Sequence, residues 1–501
     1  MTKSYNKIQE AIDSVNCVCT LLQVKDIIPL GRIVEDYYNY VLQHNGKRLA
    51  TSQLKALYNE ACYYVVGQTI KPSTPLWLKR NKKTMFPYLL KPFEPYLSNK
   101  EVLKTRLALS YLRVYEVNIL EPVPDFSTIT LESKGAEGFH SISSDYKEFL
   151  DTSPWGRTLR KLYKDESSRT RKTNKQFHYT TKMGVCGSAI GTCGKQSLAI
   201  NDEIQEYLEK IDKSFKRRDF SEILYDNQDF YANHDDIVES NELASTSLGR
   251  LAFLPDKGGK TRLIAIGNYW IQEVLIGLHD TLYGMLRRLR QDGTYEQTLA
   301  ADVVCKATLT DKVWSYDLTA ATDRFPIQPQ QQLLTFLDKN LECWSDLITS
   351  IPFDFKGKQY TYSVGQPMGL YSSWATFTLC HHTIIQYCAW KEGHKTFSKY
   401  RVLGDDVAIW DEKVAVRYSN LLQLLDVTIS YAKSIIPDNQ CKPGISAEFA
   451  KRIFYNGIEY SAIPANICLM AKRTLWSIPQ LFEHLYSRQI DVRSIPVSRI
   501  K

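Results

Sequence analysis

The stretch RVLGDDVAIW, residues 401–410, holds two adjacent aspartates behind a glycine, with apolar β-formers before them and mostly apolar residues after. Strand, tight turn, strand is the simplest conformation for it, because Gly-Asp is ordinary turn chemistry. By average residue usage, a Gly-Asp-Asp tripeptide turns up by chance in on the order of one in ten chains of this length. Whether the turn is only acidic or is a metal site therefore depends on what else the chain brings to it.

A second acidic cluster lies in SYDLTAATDRF, residues 315–325, where Asp317 ends an apolar strand pattern and its carboxylate would emerge at the sheet edge. An aspartate at one strand end and an aspartate pair on a neighbouring hairpin can converge on one point. Three carboxylates packed together repel unless cations neutralise them. Two divalent ions about 3.5–4 Å apart would do so, which is the arrangement of two-metal phosphoryl transfer. Hard oxygen donors point to Mg²⁺, with Mn²⁺ as a substitute.

Phosphoryl transfer also needs positive charge on a triphosphate. LPDKGGKTRLIA, residues 254–265, supplies Lys257, Lys260 and Arg262 on a glycine-containing turn; the plain alternative is a basic hairpin tip. SVGQPMGLYSSWATFTL, residues 363–379, joins a two-glycine loop containing Gly369 to a helix, with Ser372 and Ser373 at its start. Serines there read first as helix caps and could equally place hydroxyls beside a ribose.

The totals are those of a folded chain of 501 residues, 44% hydrophobic and 24% charged, long enough for several subdomains. No apolar run reaches the roughly 18 residues of a membrane span. The N-terminus carries acids early and has no apolar core, so it reads as neither a secretory signal nor a mitochondrial presequence. Eleven scattered cysteines make no disulfide framework, and a reduced compartment is the simpler reading. Cys380, His381, His382 and Cys388 offer zinc-type donors, but adjacent histidines leave a helix on different sides, so a core role is preferred.

Net charge is +8, and residues 157–182 concentrate it, with nine Lys/Arg against two acids and Phe177, His178 and Tyr179 close behind. That is the pattern of a polyanion site or of a solvated surface loop. Glycines follow at 183–195 as a loop or connector.

Residues 1–130 read as mainly helical, with 71–95 extended. From 249 onward strands and helices alternate: strand–turn–strand over 249–267, a helix over 271–289, a strand at 312–318, helices at 329–341 and 373–390, the 400–410 hairpin, a helix at 415–427 and a strand at 428–436. The antiparallel hairpin within this alternation predicts an α+β fold.

In this order, KGGKTR, DLTAATD, GQPMGLYSSW, GDD, YAKS and EFAKRIF resemble motifs F, A, B, C, D and E of viral RNA-dependent RNA polymerases. The stretches GKTRLIAIGNYWIQ, LHDTLYGMLRRLRQDGTYEQ, DLTAATDRFP, GQPMGLYSSWATFTLCHH and AEFAKRIF resemble the mitovirus branch, related to narnaviruses and leviviruses, over roughly 180–465.

The resemblance implies a right-hand polymerase. It would have a mainly helical region over 1–150, fingers with a basic RNA and NTP channel over 151–310, and a palm over 311–460. A fingers insertion would fall at about 326–364, and a short thumb over 461–501. It implies metal ligation by Asp317 and Asp405 with Asp406 auxiliary, ribose sensing by Asp323, and a triphosphate clamp of Lys260, Arg262 and Lys257. Gly369, Ser372 and Ser373 would position template and nucleotide, and Lys433 would act as general acid. The partners implied are single-stranded RNA template, nascent RNA and NTPs; the setting is the host mitochondrion, with the cytoplasm as alternative.

Two features depart from the family. SAIPAN, residues 461–466, stands where a Ser-Pro pair is usual, and only 36 residues follow Ala465, so any thumb would be small. A reverse transcriptase would carry a bulky residue near the ribose, where this chain offers Asp323, and a Tyr-x-Asp-Asp turn instead of Leu403-Gly404-Asp405-Asp406. A catalytically inactive RNA-binding relic would have no need of Asp317, Asp405, Arg262 and Lys433 together.

Overall fold

The computed structural model describes residues 7–70, 78–99, 101–173, 177–215, 219–234, 247–431, 433–437, 445–493 and 495. Among these described residues ten strands form three small sheets among many helices, which is the α+β class the alternation predicts.

Strands β1 (Gly249–Pro255) and β2 (Thr261–Gly267) pair antiparallel across the Lys257–Lys260 turn. β1 also runs parallel to β4 (Phe353–Phe355), which pairs with β5 (Lys358–Tyr360). The second sheet is β3 (Trp314–Asp317), β7 (Asp406–Ile409) and β6 (Tyr400–Leu403), with β7 in the centre. The third is β8 (Ser446–Phe449), β9 (Arg452–Tyr455) and β10 (Ile458–Glu459).

The second sheet packs on the Ser373–Lys391 helix, which is apolar around most of its circumference and buried along nearly its whole length, as such a helix must be. The same core takes in the amphipathic Tyr269–Arg288 helix and the inner face of Pro154–Thr173.

A second core joins the two ends of the chain. Helices Lys7–Leu21, Pro29–Val65 and Val102–Leu112 bury their apolar faces against Ala465–Arg473 and Ile478–Ser487. Pro29–Val65 is interrupted at Gly46, whose φ of +83° breaks the helical path.

Local expectations fail in three places. Within 428–436, residue 432 lies outside the described residues; among the described ones Ile435 bridges Ser315 of β3 and Ile429 bridges Leu318 just beyond it, with no strand assigned. Within 71–95, residues 71–77 lie outside the described residues, and Tyr88–Phe93 and Glu94–Ser98 are helical turns, not extended chain. The glycine-rich stretch 183–195 runs into a helix, Ala189–Ser197. Tertiary packing overrides weak local preference in each case. No helix among the described residues is long and apolar enough to cross a membrane.

Candidate active site

The hairpin register decides the site. Leu403 pairs with Asp406, leaving Gly404 and Asp405 as a two-residue turn. Gly404 has φ of +61°, the conformation a type II′ turn needs at its first central position. A Cβ there would meet the Trp374 ring at 2.1 Å, so glycine also permits the close approach of the buried helix.

The Gly404 carbonyl accepts a hydrogen bond from His381 Nδ1 at 2.7 Å, and His381 Nε2 faces Tyr418 Oη at 2.6 Å. A carbonyl can only accept, so Nδ1 carries the proton and Nε2 accepts from the tyrosine. Burial lowers the His381 pKa to about 4, which keeps the ring neutral. His382 is engaged by Tyr400 Oη and Asp292 Oδ2, both at 3.1 Å. The histidines thus brace the core and the acidic turn, and Cys380 and Cys388 are buried beside them.

On the other side of β7, Asp317 stands directly opposite Asp406 in the antiparallel register. Directly opposed like charges destabilise a strand pair unless something neutralises them. Burial, and then Asp317, raise the Asp405 pKa. Burial, then Asp405 and Asp317, push Asp406 up to about 7.

Glu448 on β8 belongs to the same group: burial first, then Asp406 and Asp317, raise its pKa well above the usual carboxylate range. Its backbone N–H donates to Ser315 Oγ on β3 at 2.9 Å, which ties the third sheet to the second. Glu448 lies within EFAKRIF, where nothing local marks it, because strand alternation does not say which sheet a strand will lie beside.

Lys433 Nζ lies 2.9 Å from Asp317 Oδ2. Burial works against its charge, but Asp317 outweighs that and raises its pKa. The irregular 428–436 segment places it: Ser430 N–H donates to the Asp317 carbonyl at 2.8 Å, and the Asp317 N–H donates to Ser434 Oγ at 3.1 Å.

Among the described residues no three His, Cys, Asp or Glu side chains are arranged as a formed metal site. An ammonium stands among the carboxylates instead. The donor set nonetheless fits a divalent cation: hard oxygens on buried acids that raise one another's pKa.

Across from the acids lies the β1–β2 turn. Lys260 feels Asp405 as an attracting charge, while burial, Arg262 and Lys433 lower its pKa. Arg262 Nε pairs with Asp256 Oδ2 at 2.8 Å. Lys257 is exposed on the same turn, and its backbone bridges Ile119.

The loop before the buried helix lies along β2. The Ala265 N–H donates to the Met368 carbonyl at 2.7 Å, and Gly369, at φ of +123°, would put a Cβ 2.3 Å from the Ala265 carbonyl oxygen. Ser372 does not cap the helix with its side chain; its hydroxyl accepts from Trp344 Nε1 at 3.3 Å. Among the described residues, Ser373 Oγ, Gln366 Oε1 and Asp323 Oδ1 are buried with no hydrogen-bond partner. Burial raises the Asp323 pKa to about 6, against the opposing effects of Thr128, Arg324 and Lys260. Orphaned polar atoms are costly in a finished core and ordinary where a ligand completes the set.

A family model described as mitovirus RNA-dependent RNA polymerase matches residues 170–494. The chain belongs to that family. The RNA-directed RNA polymerase of Cryphonectria parasitica mitovirus 1 is 38% identical over 213 residues, covering 41% of this chain and 25% of that protein. An uncharacterised mitochondrial protein of Arabidopsis thaliana is 38% identical over 166 residues, 31% of this chain and 79% of that one. A solved structure of the BmCPV RNA-dependent RNA polymerase at elongation state aligns with TM-score 0.46 and 11% identity, over 91% of this chain and 46% of the other. The match thus spans a quarter of the length of the fungal mitovirus polymerase. The family match includes every site residue discussed above, from Arg262 and Lys260 to Glu448, and leaves the N-terminal helices outside it.

Proposed function

We propose that the chain is an RNA-directed RNA polymerase that extends an RNA 3′ end on a single-stranded RNA template, using NTPs. The observation that carries this is the pairing of Asp317 opposite Asp406, with Asp405 in the turn and a lysine ammonium balancing the group. The reaction forms a bond between the RNA 3′-oxygen and the α-phosphorus and breaks the bond from that phosphorus to the bridging oxygen, releasing pyrophosphate.

Asp317, Asp405 and Asp406 would hold the divalent ions, Mg²⁺ or Mn²⁺. When bound, these supply the charge that eases loss of the 3′-hydroxyl proton and stabilises the leaving group. Lys260 and Arg262, with Lys257 on the same turn, grip the triphosphate oxygens. Asp323 and Ser373 receive the ribose hydroxyls with atoms that otherwise lack partners. Gly369 and Ser372 hold the loop that positions nucleotide and template. Lys433, kept charged by Asp317, gives its proton to the departing pyrophosphate once that ion pair opens.

In this proposal residues 311–460 form the palm, with fingers over 151–310 and at about 326–364. Residues 461–501 are assigned to the thumb, whose described helices Ala465–Arg473 and Ile478–Ser487 share a core with the N-terminal helices. The mitochondrial protein among its relatives supports action in the mitochondrion.

The test is labelled-nucleotide incorporation on a single-stranded RNA template with Mg²⁺ or Mn²⁺. Wild type should make template-length RNA, and Asp405→Asn should make none while binding RNA as wild type does. Substantial incorporation by Asp405→Asn would remove the metal assignment. RNA binding without incorporation by wild type would favour a relic, and preference for dNTPs a reverse transcriptase.

A further inference from the structure

A lysine from outside the family match lies within electrostatic reach of the site. Lys55 lies on the Pro29–Val65 helix, half-buried, and the charges that act on it are those of the catalytic cleft: Lys433, Lys260 and Lys451 repel it and Asp317 attracts it.

The helix is fastened against the β1–β2 turn. The Gly259 N–H donates to the Asn118 carbonyl at 3.3 Å, and Asn118 Nδ2 donates to Thr51 Oγ1 at 3.0 Å. A Cβ on Gly259 would lie 3.9 Å from Thr51 Cγ2. Thr51 and Lys55 are four residues apart, so they share one helix face, and that face is turned to the Lys257–Lys260 turn. Lys451 comes from a third direction, the β8–β9 turn, at φ of +59°.

Among the described residues no carboxylate pairs within 4 Å with Lys55, Lys260 or Lys451. Lysines gathered in one cleft, attracted by Asp317 and Asp405 but held by no close ion pair among the described residues, match a ligand with several negative oxygens.

We infer that Lys55 is a phosphate-binding residue of the active site, supplied by the N-terminal helices, which with Lys260 and Lys451 holds the triphosphate of the incoming nucleotide and then the pyrophosphate. This rests on the polymerase reading for the identity of the ligand. The helical region that shares a core with the chain's C-terminal helices thereby also completes the substrate site.

The probe is inorganic tripolyphosphate, titrated into the full chain and followed by calorimetry, beside RNA binding and the KM for NTPs. Lys55→Gln should weaken tripolyphosphate about tenfold, the size of one lost charge-assisted contact. It should raise the KM for NTPs to a similar extent and leave RNA affinity unchanged. Lys55→Arg should stay within about twofold of wild type, and Lys147→Gln, an exposed lysine on another helix, should change nothing.

Should Lys55→Gln fail to fold, Lys55→Met, which keeps the apolar stem, carries the same expectation. Unchanged tripolyphosphate binding in a folded Lys55 variant overturns the inference, as does loss of RNA affinity alone, which would move Lys55 to the nucleic-acid backbone. A wild type that binds tripolyphosphate with this Lys55 dependence but incorporates no nucleotide leaves the phosphate site standing and removes the polymerase reading instead.

Discussion

Asp406 faces Asp317 across two strands, and neither can move away, because the register holds both Cα positions. Burial, and then the neighbouring carboxylates, push Asp406 up to about 7 and raise Asp405 with it. The linkage has a definite sign. A carboxyl whose pKa is higher folded than unfolded makes the folded chain bind more protons, so its favourable contribution is present at low pH and is lost as pH rises through the folded value. For Asp406 that window runs from about 4, the unfolded value, to about 7. If the proposed divalent ions bind these acids, a cation would replace the proton above the window. The rise in melting temperature on adding Mg²⁺ should therefore be small at about pH 5.5, larger at about pH 8, and mostly abolished by Asp406→Asn. A Mg²⁺ effect independent of pH would show that these acids are not its site.

At the scale of elements, the basic stretch 157–182 is helical as far as Thr173, within the helix Pro154–Thr173, where Leu159, Leu162 and Tyr163 are buried beneath a charged outer face. Its charge run obscured the apolar positions three and four apart that mark the inner face. Part of the basic face is already committed: Arg160 pairs with Asp151, Arg169 with Glu166, and Arg171 donates to the Ser214 carbonyl. Lys161, Lys164 and Lys172 are exposed and remain for phosphates. If they track RNA, changing all three to Gln should weaken RNA binding and flatten the dependence of log K on log salt by up to about two, from about 0.7 per single-strand contact. An unchanged slope would place the RNA elsewhere. The Ser373–Lys391 helix shows the opposite case: its uniform apolarity marked it as buried from the sequence, but not that His381 and Trp374 would support the acidic turn.

Across the whole molecule, the two ends of the chain are one packing unit. Arg106 is buried at the joint, where Nε donates to the Ser461 carbonyl at 3.0 Å and Nη1 to the Arg488 carbonyl at 2.7 Å. Arg106→Met should cost about 2–4 kcal/mol, because two buried carbonyls lose a charged donor. It should appear as a lower melting temperature with the N-terminal and C-terminal helices losing protection together in hydrogen exchange. Loss confined to one end would show that the ends fold independently.

What the sequence determined by itself is local. Glycine before two aspartates between apolar flanks makes a hairpin, a strand pattern ending at Asp317 puts an acid at its tip, and two glycines between lysines make a basic turn. Each depends on residues within a few positions of one another, where backbone sterics and side-chain alternation leave few choices. The order of the motifs added the family. The tertiary structure alone decided which distant pieces meet: Asp317 opposite Asp406, Glu448 beside them from another sheet, Ile429 and Ile435 bridging to Leu318 and Ser315, and the helix carrying Thr51 and Lys55 set against a basic turn about two hundred residues later. Those meetings are set by burial of apolar faces that many partners could satisfy equally well, and no spacing along the chain records which partner is chosen.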